Sequence, residues 1–290
     1  MRGDRVGGNL GRRRRWTQWL ATLVANAYIP GFYLGALYRG PLKTTCIPVL
    51  NCYSCPGAVF SCPVGAAQNA VVRGNFPFYA VGLVAAIGAV VGRLPCGWLC
   101  PFGLFQDVIG GRAHRRRRPL SRPVAWGKYA VLALLLPVAA LPSGPLDIGY
   151  ERFCTYLCPS GTLGGSIPLL IADPTLRTLM GPLLAWRVLL LAGVVVAGAA
   201  FFYRPFCRSL CPLGAGLGLL NRCSVFGIRT DPSACIDCGA CARACPVNLD
   251  PDAGGTQSGE CIRCLRCVGA CGAGALEFGR HGMRAGGDCR

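Results

Sequence analysis

Apolar residues gather into four runs along this chain, at 16–38, 76–94, 124–141 and 183–203. Each is close to the roughly 20 residues that a helix needs to cross a bilayer. Lys128 and Pro137 interrupt the third run and Arg187 lies near the start of the fourth. A long cationic stem can lie along apolar surface with its head at an interface, so these residues are compatible with spans. The pattern predicts an α-helical membrane protein with four transmembrane helices. The first run has a second reading as a signal peptide, because arginines precede it and Ala25-Asn26-Ala27 resembles a cleavage site. Its apolar character continues to Tyr38, which favours an uncleaved anchor. Beyond Phe206 the pattern changes, and Asp, Gly, Arg and closely spaced Cys replace the leucine runs. The expected organisation is a basic arm at 1–15, a membrane domain at 16–205, a small soluble α+β domain at 206–280 and a disordered tail at 281–290.

Composition sharpens this picture. Of 290 residues, 52% are hydrophobic and only 14% charged, against about 25% charged in soluble domains. The net charge of +18 does not point to nucleic acid, because the arginines border the apolar runs and are not interleaved with aromatics. Lys and Arg number six in 1–15 and six in 95–123, but three in 39–75 and two in 142–182. The positive-inside rule then puts both termini and the 115–118 arginine run in the cytoplasm, as a multi-pass protein of the cell membrane. An even number of spans agrees with this.

Twenty cysteines carry the chemistry. Cys235-x2-Cys238-x2-Cys241-x3-Cys245-Pro246 is followed by Cys261-x2-Cys264-x2-Cys267-x3-Cys271. This is the bacterial two-cluster ferredoxin spacing, in which the fourth cysteine of each run reaches the other cluster. One [4Fe–4S] cluster would take Cys235, Cys238, Cys241 and Cys271, and the other Cys261, Cys264, Cys267 and Cys245. Zinc knuckles are the competing reading, but they use four ligands at paired spacing and often include His. His114 and His281 both lie outside the runs. Gly272 stands where a proline would usually follow the last cysteine, and that residue is not a ligand.

A second pattern, Cys-x3-Cys-Pro-x-Gly, follows the later spans at Cys96/Cys100, Cys154/Cys158 and Cys207/Cys211. A looser copy follows the first span, with Cys52, Cys55 and Cys62, and Gln68 and Gln106 each lie six residues after a Cys-Pro cysteine. Proline is favoured at the first helical position. A cysteine just before it sits where N–H groups and the helix dipole meet an anion. Buried structural cysteines are the bland alternative, but they would not recur at span ends. Spans two and four end on the same side, so Cys96, Cys100, Cys207 and Cys211 are expected to form an inner cluster. Cys154 and Cys158 are expected to meet Cys55 and Cys62 in an outer one, with Cys52 as the rival ligand. A disulfide among Cys46, Cys52, Cys55 and Cys62 competes with this. Cys46, Cys223 and Cys289 fit no pattern.

The segments CGWLCPFGLFQ (96–106) and RPFCRSLCPLGA (204–215), together with the double ferredoxin run, resemble the NapH-type membrane polyferredoxins. That family includes relatives in nitrous-oxide reductase maturation and cytochrome oxidase assembly. The resemblance implies a four-span protein whose clusters relay single electrons to or from the quinone pool and a protein redox partner. The cysteines at 52–62 and 154–158 are additions to the simplest members. There is no Cys-x-x-Cys-His haem site, nucleotide-binding glycine loop or Ser-His-Asp arrangement, so the chain reads as an electron-transfer subunit and not a complete enzyme. Reduction of another protein's metal centre and redox sensing are the other classes to weigh. Glu151, Arg152, Tyr156 and Asp107 lie beside cluster motifs and could assist proton transfer, but the favoured reading of Glu151 and Arg152 is a hydrated interfacial pair.

Overall fold

The computed structural model describes residues 2–111, 118–141, 151–172 and 174–280. His114, most of the arginine run and the tail with His281 and Cys289 lie outside them.

The basic arm is helical. One helix runs Arg2–Ala25, so it begins earlier and ends sooner than the expected 16–38 span. Asn26 Nδ2 donates to Thr22 O at the end of this helix. Pro30 then opens a separate short helix, Pro30–Leu34. The chain folds back here, with Tyr28 N donating to Gly57 O and Val59 N to Ala25 O. The second run forms the helix Phe78–Val91, of 14 residues. That is about 21 Å long, shorter than a hydrocarbon core of about 30 Å. It stops because Gly92 turns the backbone to φ +52°, a conformation glycine adopts freely. The third and fourth runs give Arg122–Ala140 and Gly181–Phe201, both long and apolar enough to cross a membrane. The latter includes wider π-type turns at Leu191–Ala197.

Four of the Cys-Pro steps start a helix. Cys62, Cys100, Cys158 and Cys211 each cap a helix whose first residue is the following proline: Pro63–Val72, Pro101–Gly110, Pro159–Gly161 and Pro212–Leu219. These cysteines share one core with Leu50, Phe102, Leu135, Phe153, Val195 and Phe206.

The C-terminal part is α+β. Strand β1 (Phe226–Thr230) pairs antiparallel with β2 (Leu276–Arg280), Phe226 opposite Arg280 and Thr230 opposite Leu276. Its small core of Ile228, Leu265 and Leu276 is completed by Leu10 of the N-terminal helix and by Trp98.

Candidate cysteine cluster sites

Two cavities occupy the ferredoxin-like part. One is lined by Cys235, Cys238, Cys241 and Cys271, the other by Cys245, Cys261, Cys264 and Cys267. Each set combines three cysteines of one run with the last of the other. The crossing has a local cause: Cys245 and Cys271 cap the C-terminal ends of the five-residue helices Ala240–Ala244 and Arg266–Ala270. The first site is open, with Cys238 exposed and Ile236 71% exposed beside it. In the second, Cys261 and Cys267 are buried.

The inner set is fully enclosed. Cys96, Cys100, Cys207 and Cys211 are all buried, and the Cys211 thiol feels each of the other three. The Cys-Pro-x-Gly turn aims backbone at sulfur: Gly103 N lies 3.4 Å from Cys100 Sγ and Gly214 N 3.4 Å from Cys211 Sγ. Gln106 Nε2 donates to Cys207 Sγ at 2.9 Å. Two arginines cross between the motifs. Arg204 donates to Cys96 O at 2.5 Å, and Arg93 to Cys207 O at 2.6 Å. Each stands three residues before a cysteine of one motif and serves the other. That offset, Arg-x2-Cys, does not single them out in the sequence, because Arg208 stands at the same offset from Cys211 and pairs with Glu260 instead.

The outer set was expected to join Cys55 and Cys62 to Cys154 and Cys158, with Cys52 as the rival. The thiols close to one another are Cys52, Cys62, Cys154 and Cys158. Among these four, Cys52 also feels Cys55, and Lys43 faces Cys52 and Cys55 alike. A tight turn, in which Cys55 N donates to Cys52 O at 3.1 Å, keeps these two cysteines together. Gln68 Nε2 donates to Cys154 Sγ at 3.2 Å, matching Gln106 in the inner set. All cysteines among the described residues are free thiols.

These sites suit an iron–sulfur cubane. Burial, and then the neighbouring sulfurs, push the Cys100 and Cys158 thiols up to about 12. Such sulfurs become thiolates only against a cationic core, as metal ligation requires. No three His, Cys, Asp or Glu among the described residues stand close enough to grip a single metal ion. Zinc would need thiolates about 2.3 Å from one centre; a cubane spreads them more widely. Inward-pointing N–H groups match its negative charge.

Two carboxylates beside the motifs behave differently. Asp107 is clamped by Arg204, at 2.9 and 2.7 Å, and by Arg14. Against the cost of burial, these guanidinium groups hold its carboxyl well below the usual carboxylate range. It is a structural anion, not a proton carrier. Glu151 accepts from Asn69 Nδ2 at 2.9 Å and Tyr53 OH at 3.3 Å, whereas Arg152 donates to Val138 O. Trp186 Nε1 donates to Tyr156 O.

The sites are stitched into a row. The backbone of Leu50 lies near the Cys100 thiol and that of the adjacent Asn51 near the Cys62 thiol. Gly97, next to Cys96, packs against Ile262 O, next to Cys261. Trp98 Nε1 donates to Arg263 O at 3.1 Å, and Arg93 to Gly259 O at 2.6 Å. Replacing Gly97 with alanine would drive a Cβ into the Ile262 carbonyl. We expect it to loosen the 259–263 loop, read as faster proteolysis there and a melting temperature several degrees lower.

A family model described as a 4Fe-4S binding domain matches residues 74–121, 130–167 and 184–230. A second 4Fe-4S binding domain model matches 228–249. The protein MJ0749 of Methanocaldococcus jannaschii is 31% identical, covering 68% of this chain and 68% of its own length. The ferredoxin-type protein NapH of Haemophilus influenzae is 24% identical over 92% of this chain and 88% of NapH. The chain belongs to the NapH-type polyferredoxins. It is an iron–sulfur protein of electron transfer, and [4Fe–4S] clusters are its cofactors. NirI of Paracoccus denitrificans is 31% identical over 59% of this polyferredoxin, which spans only 24% of NirI. No solved structure matches.

Proposed function

We propose that this polyferredoxin is a four-span electron relay of the cell membrane, with four [4Fe–4S] sites in line. The ligand sets are Cys52/Cys62/Cys154/Cys158, Cys96/Cys100/Cys207/Cys211, Cys245/Cys261/Cys264/Cys267 and Cys235/Cys238/Cys241/Cys271. The clusters supply one-electron reduction and reoxidation. The protein supplies their order and spacing.

The observation that carries this reading is the pair of junctions. Leu50 and the adjacent Asn51 lie beside the Cys100 and Cys62 thiols, so consecutive residues link the inner and outer sets. The Gly97–Ile262 contact then joins the inner set to the buried ferredoxin site. The exposed site around Cys238 stands last, where a soluble redox partner can approach. A row of sites divides a hydrocarbon thickness of about 30 Å that no single step would cross efficiently.

Lipid placement is supported by an outward apolar belt. Trp16, Leu20, Leu23, Phe78, Trp126, Leu134, Leu189 and Phe201 are all exposed large apolar residues, and such a surface calls for lipid or a partner. The first span comprises the end of the helix Arg2–Ala25 and the short helix Pro30–Leu34, the second the 14-residue helix Phe78–Val91, and both would cross together with their flanking turns. Both termini are read as cytoplasmic: Leu10 of the arm packs on the ferredoxin core, so these two parts share a side. If quinol is the donor, it would meet the outer end. There Glu151 accepts hydrogen bonds from Tyr53 and from Asn69, the neighbour of Gln68, which touches Cys154. The large apolar cavity of about 330 Å³ bounded by Val64, Leu135 and Leu213 has no polar lining residue to orient a quinone head.

The test is electron crossing. Reconstituted in liposomes holding ferricyanide, the protein should carry electrons from external dithionite to the trapped acceptor. Replacing Cys207 with alanine should cut the rate at least tenfold. A wild-type rate equal to that of empty liposomes would defeat the relay.

A further inference from the structure

Two buried glutamines are not accounted for by the ligand sets. Gln68 and Gln106 are 0% and 1% exposed. Each follows a Cys-Pro cysteine by six residues. Neither reaches the cysteine of its own helix. Gln106, on Pro101–Gly110, donates to Cys207 of the opposite motif at 2.9 Å. Gln68, on Pro63–Val72, donates to Cys154 of its opposite motif at 3.2 Å. Both choose the first cysteine of a Cys-x3-Cys pair.

Packing alone does not require this arrangement. An apolar side chain of similar length would fill the same core without polar cost, and a buried amide is costly unless it is hydrogen-bonded. Gln106 Oε1 has no partner among the described residues, so its amide is held by the sulfur contact. In Gln68, Oε1 accepts from Phe153 N at 3.1 Å, which fixes the amide with its NH2 toward Cys154. Hydrogen bonds to ligand sulfur are one of the levers that set cluster potential.

We infer that Gln106 and Gln68 are positioning residues that raise the reduction potentials of the inner and outer clusters, one glutamine to each. The sign follows from charge. An N–H directed at a thiolate is a charge-assisted bond, and it strengthens when the cluster gains an electron. Losing the bond therefore disfavours reduction. The inference rests on the proposed ligand sets, and its test separates the two.

The experiment is an EPR-monitored redox titration of the full chain, reconstituted anaerobically with iron and sulfide. In Gln106→Leu, the inner couple should fall by about a tenfold change in its reduction equilibrium, about 59 mV for one electron, with the outer couple unmoved. Gln68→Leu should do the reverse. Gln106→Glu keeps the shape but presents a carboxylate, so at neutral pH it should fall further than the leucine variant. Pulsed EPR on wild type, with 15N in glutamine side chains, should show nitrogen coupled to two clusters, and each leucine variant should lose one coupling. If wild type shows only two couples, the ligand sets fail and the inference falls with them. Four couples with full iron and no shift in any variant would overturn the glutamine role alone. So would an equal shift of both membrane couples by a single substitution.

Discussion

Replacing Cys52 with alanine should remove one cubane from the chain, whereas replacing Cys55 should leave the full complement. The two cysteines are three residues apart, and spacing alone made Cys55 the natural ligand because a proline follows it, as in the other motifs. The structure groups Cys52 with Cys62, Cys154 and Cys158, whereas Cys154 and Cys158 do not feel Cys55. Wild type should hold about 16 iron and 16 sulfide per chain, as four cubanes each held by four thiolates. Cys52→Ala should lose about a quarter of both, together with one EPR signal on reduction. Cys55→Ala should keep all of them. Iron and sulfide counts on anaerobically reconstituted protein decide it, and the reverse pattern would restore Cys55 as ligand.

Asp107→Ala should be the most damaging single change away from the cysteines. Its carboxylate neutralises Arg204 and Arg14, which are 1% and 3% exposed. Removing one partner of a buried pair leaves uncompensated charge, at a cost of about 3–5 kcal/mol. Arg204 also holds an unfavourable backbone, φ +46°, which persists only where surroundings enforce it. Its guanidinium binds Cys96 O, so the inner cluster should become labile as the clamp fails. Denaturant unfolding in detergent should show the lost stability, and iron release should be faster. The pH dependence follows from the lowered carboxyl. Its stabilising effect is complete above the ordinary aspartate value of about 3.9 and fades only as pH falls below that range. Wild type should thus keep this contribution at pH 5, and Asp107→Ala should lack it throughout. Equal stability of the two proteins would mean that the clamp contributes nothing.

Much of the site was legible from spacing. Cys-Pro-x-Gly recurs because proline starts a helix and the glycine N–H returns to the sulfur, and both events are local. The crossed ferredoxin sets were legible for the same reason, since Cys245 and Cys271 close short helices whose geometry is set within ten residues. What spacing could not give was direction. Whether Cys52 or Cys55 meets a partner more than ninety residues away depends on tertiary packing that local spacing does not encode. The spans were only partly legible. Hydropathy reports transfer to lipid, not helix continuity, so it ran past the turn at Asn26 and past Gly92. Arg93 and Arg204 were hidden among thirty basic residues until their common offset from Cys96 and Cys207 was set against their crossed contacts.

The helix Arg2–Ala25 lends Leu10 to one core and Arg14 to the Asp107 clamp of the other. A ferredoxin unit fastened in this way cannot swing like a carrier on a tether. Its outermost centre keeps one address, and whatever exchanges electrons there must travel to it. Turnover would then be governed by how quickly successive partners arrive and leave, and a bulky tag fused ahead of Leu10 would unseat the terminal that they visit.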